Sequence, residues 1–117
     1  MSHKRIRIAD DGTVTIVTFI DKKILEAASI QELGDELFGL IAGGVEKLVL
    51  DFDGVEFLSS AALNKLIILD KKVKAGSGDM VLCNLRQEIH EVFVITRLNQ
   101  LFVIEDTVDE AVEKVLD

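Results

Sequence analysis

A chain of 117 residues, 49% of them hydrophobic, can bury roughly two-thirds of its unfolded surface in one core, so the expectation is a single domain over residues 1–117. Thirteen basic against twenty-one acidic residues leave a net charge of −8, which disfavours nucleic acid and anionic lipid and suits a basic or neutral protein partner. A lone cysteine, Cys83, excludes an internal disulfide and fits a reducing compartment; with no secretion-signal core after Met1 and no apolar run of spanning length, a cytoplasmic protein without direct membrane insertion is expected.

Taken in chain order, Ile6 and Ile8 alternate with Arg5 and Arg7, and Asp11-Gly12 interrupts before Val14, Ile16 and Val17, which predicts two antiparallel strands joined by a tight turn. Ser29-Ile30-Gln31-Glu32 has the form of a capping box. Ile30, Leu33, Leu37, Leu40 and Ile41 follow on one helical face, and Gly43-Gly44 stops the helix. Leu48-Val49-Leu50-Asp51-Phe52 is almost wholly apolar, as in a central strand covered on both faces.

From Ser59 onward Ala62, Leu63, Leu66, Ile67 and Val73 recur at helical spacing, with Lys65, Asp70, Lys71, Lys72 and Lys74 assigned to the wet side and Gly76-Ser77-Gly78 closing the helix. Met80 to Cys83 reads as a short strand with Cys83 packed as a small apolar group, Gln87 to Arg97 as a helix, and Phe102-Val103-Ile104 as a last strand. Thr107-Val108-Asp109-Glu110 is a second capping box, and Val108, Ala111, Val112 and Val115 give the final helix its stripe. The order β-β-α-β-α-β-α-β-α is that of an α/β fold: a mixed, mostly parallel sheet opened by an N-terminal hairpin, with about four helices.

Catalytic machinery is sparse. The two histidines, His3 and His90, have no nucleophile beside them in sequence, and a Ser60-His90-Asp51 triad lacks any Gly-x-Ser-x-Gly elbow. One Cys and two separated His offer no metal-ligand spacing, and neither glycine cluster continues into a phosphate loop, so no catalytic, cofactor or metal residue is assigned. The carboxylates Asp51, Asp53 and Glu56 raise a receiver domain that takes phosphate on an Asp beside Mg²⁺. Such a site also needs an acidic pair after the first strand and a Lys after the last, where this chain reads Phe19-Ile20-Asp21 and Ile104-Glu105-Asp106.

The stretch from Leu48 to Leu63 is the most informative: a buried strand, a short acidic turn and the apolar pair Phe57-Leu58 deliver Ser59 and Ser60 to the start of a helix. By itself Ser59 reads as an N-cap, a position that Ser favours. The stretch also resembles the core motif of the STAS family, the anti-sigma-factor antagonists and their relatives, with Asp51 as the strand-end acid, Phe57 and Leu58 as the apolar pair, Ser59 in the Asp-or-Ser position and Ser60 in the place of the phosphorylated serine; Ala61, Ala62 and Leu63 complete it. The likeness continues through the opening hairpin, the Gly76-Ser77-Gly78 break and the segment from Val92 to Ile104. Two departures stand out: Ala62 where the family usually has Gly, and Asp21 to Glu26 in place of a Gly-Glu-Leu-Asp segment.

The resemblance implies a non-enzymatic antagonist whose unphosphorylated form binds an anti-sigma factor, often itself a serine kinase, and which phosphorylation of Ser60 switches off. Asp51, Asp53, Ser59, Ser60, Ala61 and Asn64 are the implied partner-binding residues, no cofactor is called for, and a monomer or weak homodimer is expected. The other reading it leaves open is an unphosphorylated STAS binding module in a transport or scaffold assembly, or one that holds a small ligand.

Overall fold

The computed structural model describes residues 3–10 and 12–117. Five strands form one sheet in the order β1 (Ile6–Asp10), β2 (Thr15–Phe19), β4 (Lys47–Asp51), β6 (Asp79–Cys83), β7 (Val103–Glu105). The β1–β2 pair is antiparallel, with Ile6 opposite Phe19 and Asp10 opposite Thr15, and every later pairing is parallel. The expected Asp11-Gly12 turn lies in part outside the described residues; Gly12 itself has φ +95, which a residue without Cβ adopts at no steric cost. An antiparallel opening also removes the receiver reading, which requires a wholly parallel sheet.

The side-chain period of 2 sorts the strands between two helical layers. On one face Leu48 and Leu50 of β4 and Met80 and Leu82 of β6 join the larger core with α1 (Ala27–Ala42), α2 (Ser60–Ala75) and α3 (Gln87–Ile95). On the other, Val49, Val81 and Cys83 pack with Ala111 and Val115 of α4 (Val108–Leu116). The middle strand is thereby sealed on both sides, which is why its sequence is a continuous apolar run. Phe52, just past β4, packs against Phe19 with ring centroids 4.7 Å apart and planes tilted by 47°, and Phe93 meets Phe102 edge-on at 5.7 Å.

Several sequence expectations are corrected. The first long helix starts two residues before the proposed capping box, because Ala27 and Ala28 are strong helix formers and the Ile30 amide already donates to the Glu26 carbonyl at 2.9 Å; Glu26 is the N-cap and makes no side-chain cap, while Ser29 lies inside the first turn. Asp70 is not on the wet side of α2 but 3% exposed, held by Lys74 Nζ at 2.9 Å one turn on. The third helix ends at Ile95, two residues early: the Thr96 hydroxyl donates to the Val92 carbonyl at 2.7 Å, and Arg97 turns to φ +63 before a short 3₁₀ turn, Leu98–Gln100.

Two strands are not foreseen from the sequence. Beyond the carboxyl ends of β2 and β4 two further short strands, β3 (Lys23–Ile24) and β5 (Phe57–Leu58), pair in parallel as a separate small sheet. It ties the Asp21-to-Glu26 segment directly to the approach of α2.

Candidate functional site

The segment between β4 and α2 is fixed at each step by hydrogen bonds that its own sequence supplies. At the strand end the Asp51 carboxylate accepts from the Asp53 amide and from the Asn84 side-chain amide, both at 2.9 Å. The Val55 amide then donates to the Phe52 carbonyl at 2.9 Å across Asp53 and Gly54, and Gly54 has φ +89, the positive value that the third position of such a turn demands. Val55 is 1% exposed and anchors the turn to the core.

From there the chain is led by the small sheet. The Glu56 and Phe57 amides donate to the Lys22 carbonyl, and the Ser59 amide donates to the Ile24 carbonyl at 3.1 Å. Ser59 has extended backbone, φ −76 and ψ 164, and its Oγ accepts from the Ala62 amide at 3.2 Å, the geometry of an N-cap. Ser60 is the first helical residue and is exposed to solvent. The two hydroxyls therefore differ in kind: one is spent on the helix, the other faces outward.

Of the six residues proposed for partner binding, Ser60, Ala61 and Asn64 are exposed on α2, with Ser60 and Asn64 one turn apart on the same side. Asp53 is exposed on the turn, whereas Ser59 and Asp51 are half-buried and carry structural bonds. Ala62, the departure from the family's usual Gly, is 1% exposed and points into the core, so its methyl does not lie on the outward surface. The hydrogen bonds of Asp51 go to its own turn and to Asn84, and His90 is exposed on α3, so no relay joins Ser60, His90 and Asp51. Asn84, at φ +56, was not singled out from sequence; an Asn directly after a buried strand, in a residue type that tolerates left-handed backbone, was the available signal.

The electrostatics favour an anion at this helix start. No acidic residue occupies the first turn of α2, so the partial positive charge of its free amides is unopposed, while Lys72 and Lys74 complement the other end. Beneath the site, burial and the nearby Asp51 carboxylate push the Cys83 thiol up to about 12, which makes it an apolar filler and not a nucleophile. Among the described residues no cluster of His, Cys, Asp or Glu could hold a metal ion, and no helix is long and apolar enough to cross a membrane.

The chain is similar to known proteins in sequence and in fold. A candidate anti-sigma factor antagonist of Bordetella bronchiseptica, BtrV, is 27% identical over an alignment that takes in 75% of this chain and 76% of that one. The fold matches that of an anti-sigma-factor antagonist (STAS) domain protein from Planctomyces limnophilus, with a TM-score of 0.86 and 22% identity over 96% of this chain and 98% of that one. It also matches the Bacillus cell fate determinant SpoIIAA in its phosphorylated form, with a TM-score of 0.70 and 15% identity over 94% and 98% of the two chains. The STAS domain family model matches residues 6–111, from the first strand into the last helix; with the hairpin-opened sheet and the capped serine pair at the start of α2, this chain belongs to the STAS domain family.

Proposed function

We propose that this chain is an anti-sigma factor antagonist whose residues 1–117 act as one STAS unit, binding an anti-sigma factor with serine kinase activity and released from it by phosphorylation of Ser60. One observation carries the reading: Ser60 is exposed at the first position of α2 while its neighbour Ser59 is committed to the cap. It is supported by the anti-sigma factor antagonist names of the relatives and by the likeness to a fold neighbour whose structure is of the phosphorylated form.

The antagonist needs no catalytic group of its own. A kinase supplies the γ-phosphoryl group, the Ser60 oxygen attacks, and the hydroxyl proton leaves to a base of the kinase. The product carries about −1.5 to −2 charges at a helix N-terminus that holds no competing carboxylate, so the fold tolerates it. A docked partner does not. An interface complementary to a neutral hydroxyl, on a surface that already presents Asp53 and Glu56, has to desolvate a dianion; each 1.4 kcal/mol of that cost is about tenfold in affinity. Asp53, Ala61 and Asn64 form the surrounding contact, Asp51 and Ser59 hold it in shape, and the working state is a cytoplasmic monomer or weak homodimer.

The test is incubation with ATP, Mg²⁺ and the organism's serine kinases of the anti-sigma type, followed by mass spectrometry of the peptide that contains Ser59 and Ser60. Phosphate on Ser60, retained kinase binding by Ser60→Ala and lost binding by Ser60→Asp with unchanged circular dichroism are the expected results. Ser60→Asp binding as tightly as wild type overturns the switch. A chain that no such kinase modifies, recovered instead in a transport or scaffold assembly, belongs with the unphosphorylated binding modules.

A further inference from the structure

Between β5 and α3 lies a cavity of about 180 Å³. Its floor is Ile89 and Phe93, 4% and 0% exposed, and Leu58 closes one side. Phe57 and Val92 line it while remaining 59% and 39% exposed. An apolar cavity of about 150 Å³ accepts benzene, so this one has room for a Leu, Ile or Phe side chain.

Phe57 is the telling residue. An aromatic ring left largely in water, beside an apolar floor, adds little to folding by its exposed part, and aromatic side chains in such settings are where binding energy concentrates. Glu56 and Glu88 also line the cavity, Glu88 met by Arg86 at 3.9 Å across exposed side chains; in a chain of net charge −8 an apolar occupant flanked by positive charge is complementary to it. Leu58 stands both in the cavity wall and two residues before Ser60, which puts an occupant within reach of the exposed hydroxyl.

We propose that this cavity is the socket for one apolar side chain of the anti-sigma partner, carried on a segment whose flanking residues are Lys or Arg. The inference rests on the function proposed above and adds the surface that gives the complex its affinity before phosphorylation. The socket holds the kinase beside Ser60 without touching the reacting oxygen, so its loss removes binding equally from ground and transition states.

The experiment titrates the anti-sigma serine kinase that binds wild type with wild type, Phe57→Ala and Glu88→Lys by calorimetry, and follows Ser60 phosphorylation of each by that kinase. Phe57→Ala is expected to weaken binding about 30-fold and Glu88→Lys about tenfold, with circular dichroism unchanged, since both side chains are exposed. KM for phosphorylation should rise with kcat held. If both variants bind within about twofold of wild type, the socket is overturned. It is equally overturned if Phe57→Ala leaves kinase binding intact and instead dissolves a homodimer, or releases bound decanoate. The two readings fail separately: a wild type that the kinase neither binds nor phosphorylates ends both, whereas normal phosphorylation with release by Ser60→Asp and unaffected socket variants ends this one alone.

Discussion

Three single residues show how local contacts set the stability of this chain. Ser59 gives its Oγ to the Ala62 amide, so Ser59→Ala leaves that amide without its cap and should lower unfolding free energy by about 0.5 to 2 kcal/mol in urea denaturation, while Ser60 is still phosphorylated. Gly78 stands where a methyl would come within 2.5 Å of the Glu46 carbonyl oxygen, a backbone atom that cannot swing aside. Gly78→Ala should therefore destabilise by about 1 to 3 kcal/mol as the β6 entry shifts, read as a lowered midpoint at unchanged slope. Cys83 is the third. Its thiol stays protonated to about 12 in the folded chain against 9.0 for an ordinary thiol, so the unfolded chain gives up its proton first as pH rises. The contribution is intact below pH 9 and is lost progressively toward pH 12, measurable as the part of the fall in urea midpoint across that window that Cys83→Ala removes; native protein should also resist iodoacetamide at pH 8.

At the level of elements, the two long helices illustrate how far local rules reach. The α1 stripe of Ile30, Leu33 and Leu37 is periodic and buried, and its end at Gly43-Gly44 follows from the residues, Gly44 sitting at φ +100. Gly39, inside the same helix and exposed, has no atom within 4 Å of where a methyl would stand. Gly39→Ala should accordingly raise stability by about 0.5 to 1 kcal/mol in thermal melts, by removing the backbone freedom that glycine loses on folding. Start signals were less dependable. A Ser-x-x-Glu spacing marked Ser29 as a cap, but the preceding Ala pair extended the helix past it; Thr107, with no such pair before it, caps α4 by accepting from the Glu110 amide at 3.1 Å. The β3–β5 sheet was invisible because a strand of two residues has no period to read.

Across the whole molecule, strand order explains where the site can be. Both short strands continue β2 and β4 past the carboxyl end of the main sheet, and parallel α/β sheets characteristically bring their functional loops to that end. The backbone bond from Ser59 to Ile24 makes the start of α2 depend on a segment 35 residues earlier, so the exposed hydroxyl rests on a rigid base and not on a free loop. The surface around it combines an acidic turn, an outward helix start and an apolar socket; the turn, the helix start and one wall of the socket come from the segment between β4 and α2, and the socket's floor comes from α3.

The sequence by itself determined the α/β order, the buried middle strand, the hairpin opening and the capped serine pair, because those follow from periodicity and from local hydrogen bonding within a few residues. Only the tertiary structure decided that Asp70 is buried, that Ala62 faces inward, that Asn84 steadies Asp51 and that Phe57 stands open beside α3. Each of these depends on contacts between residues distant in the chain, whose pairing is chosen by how the layers pack and leaves no periodic trace in either partner's own neighbourhood.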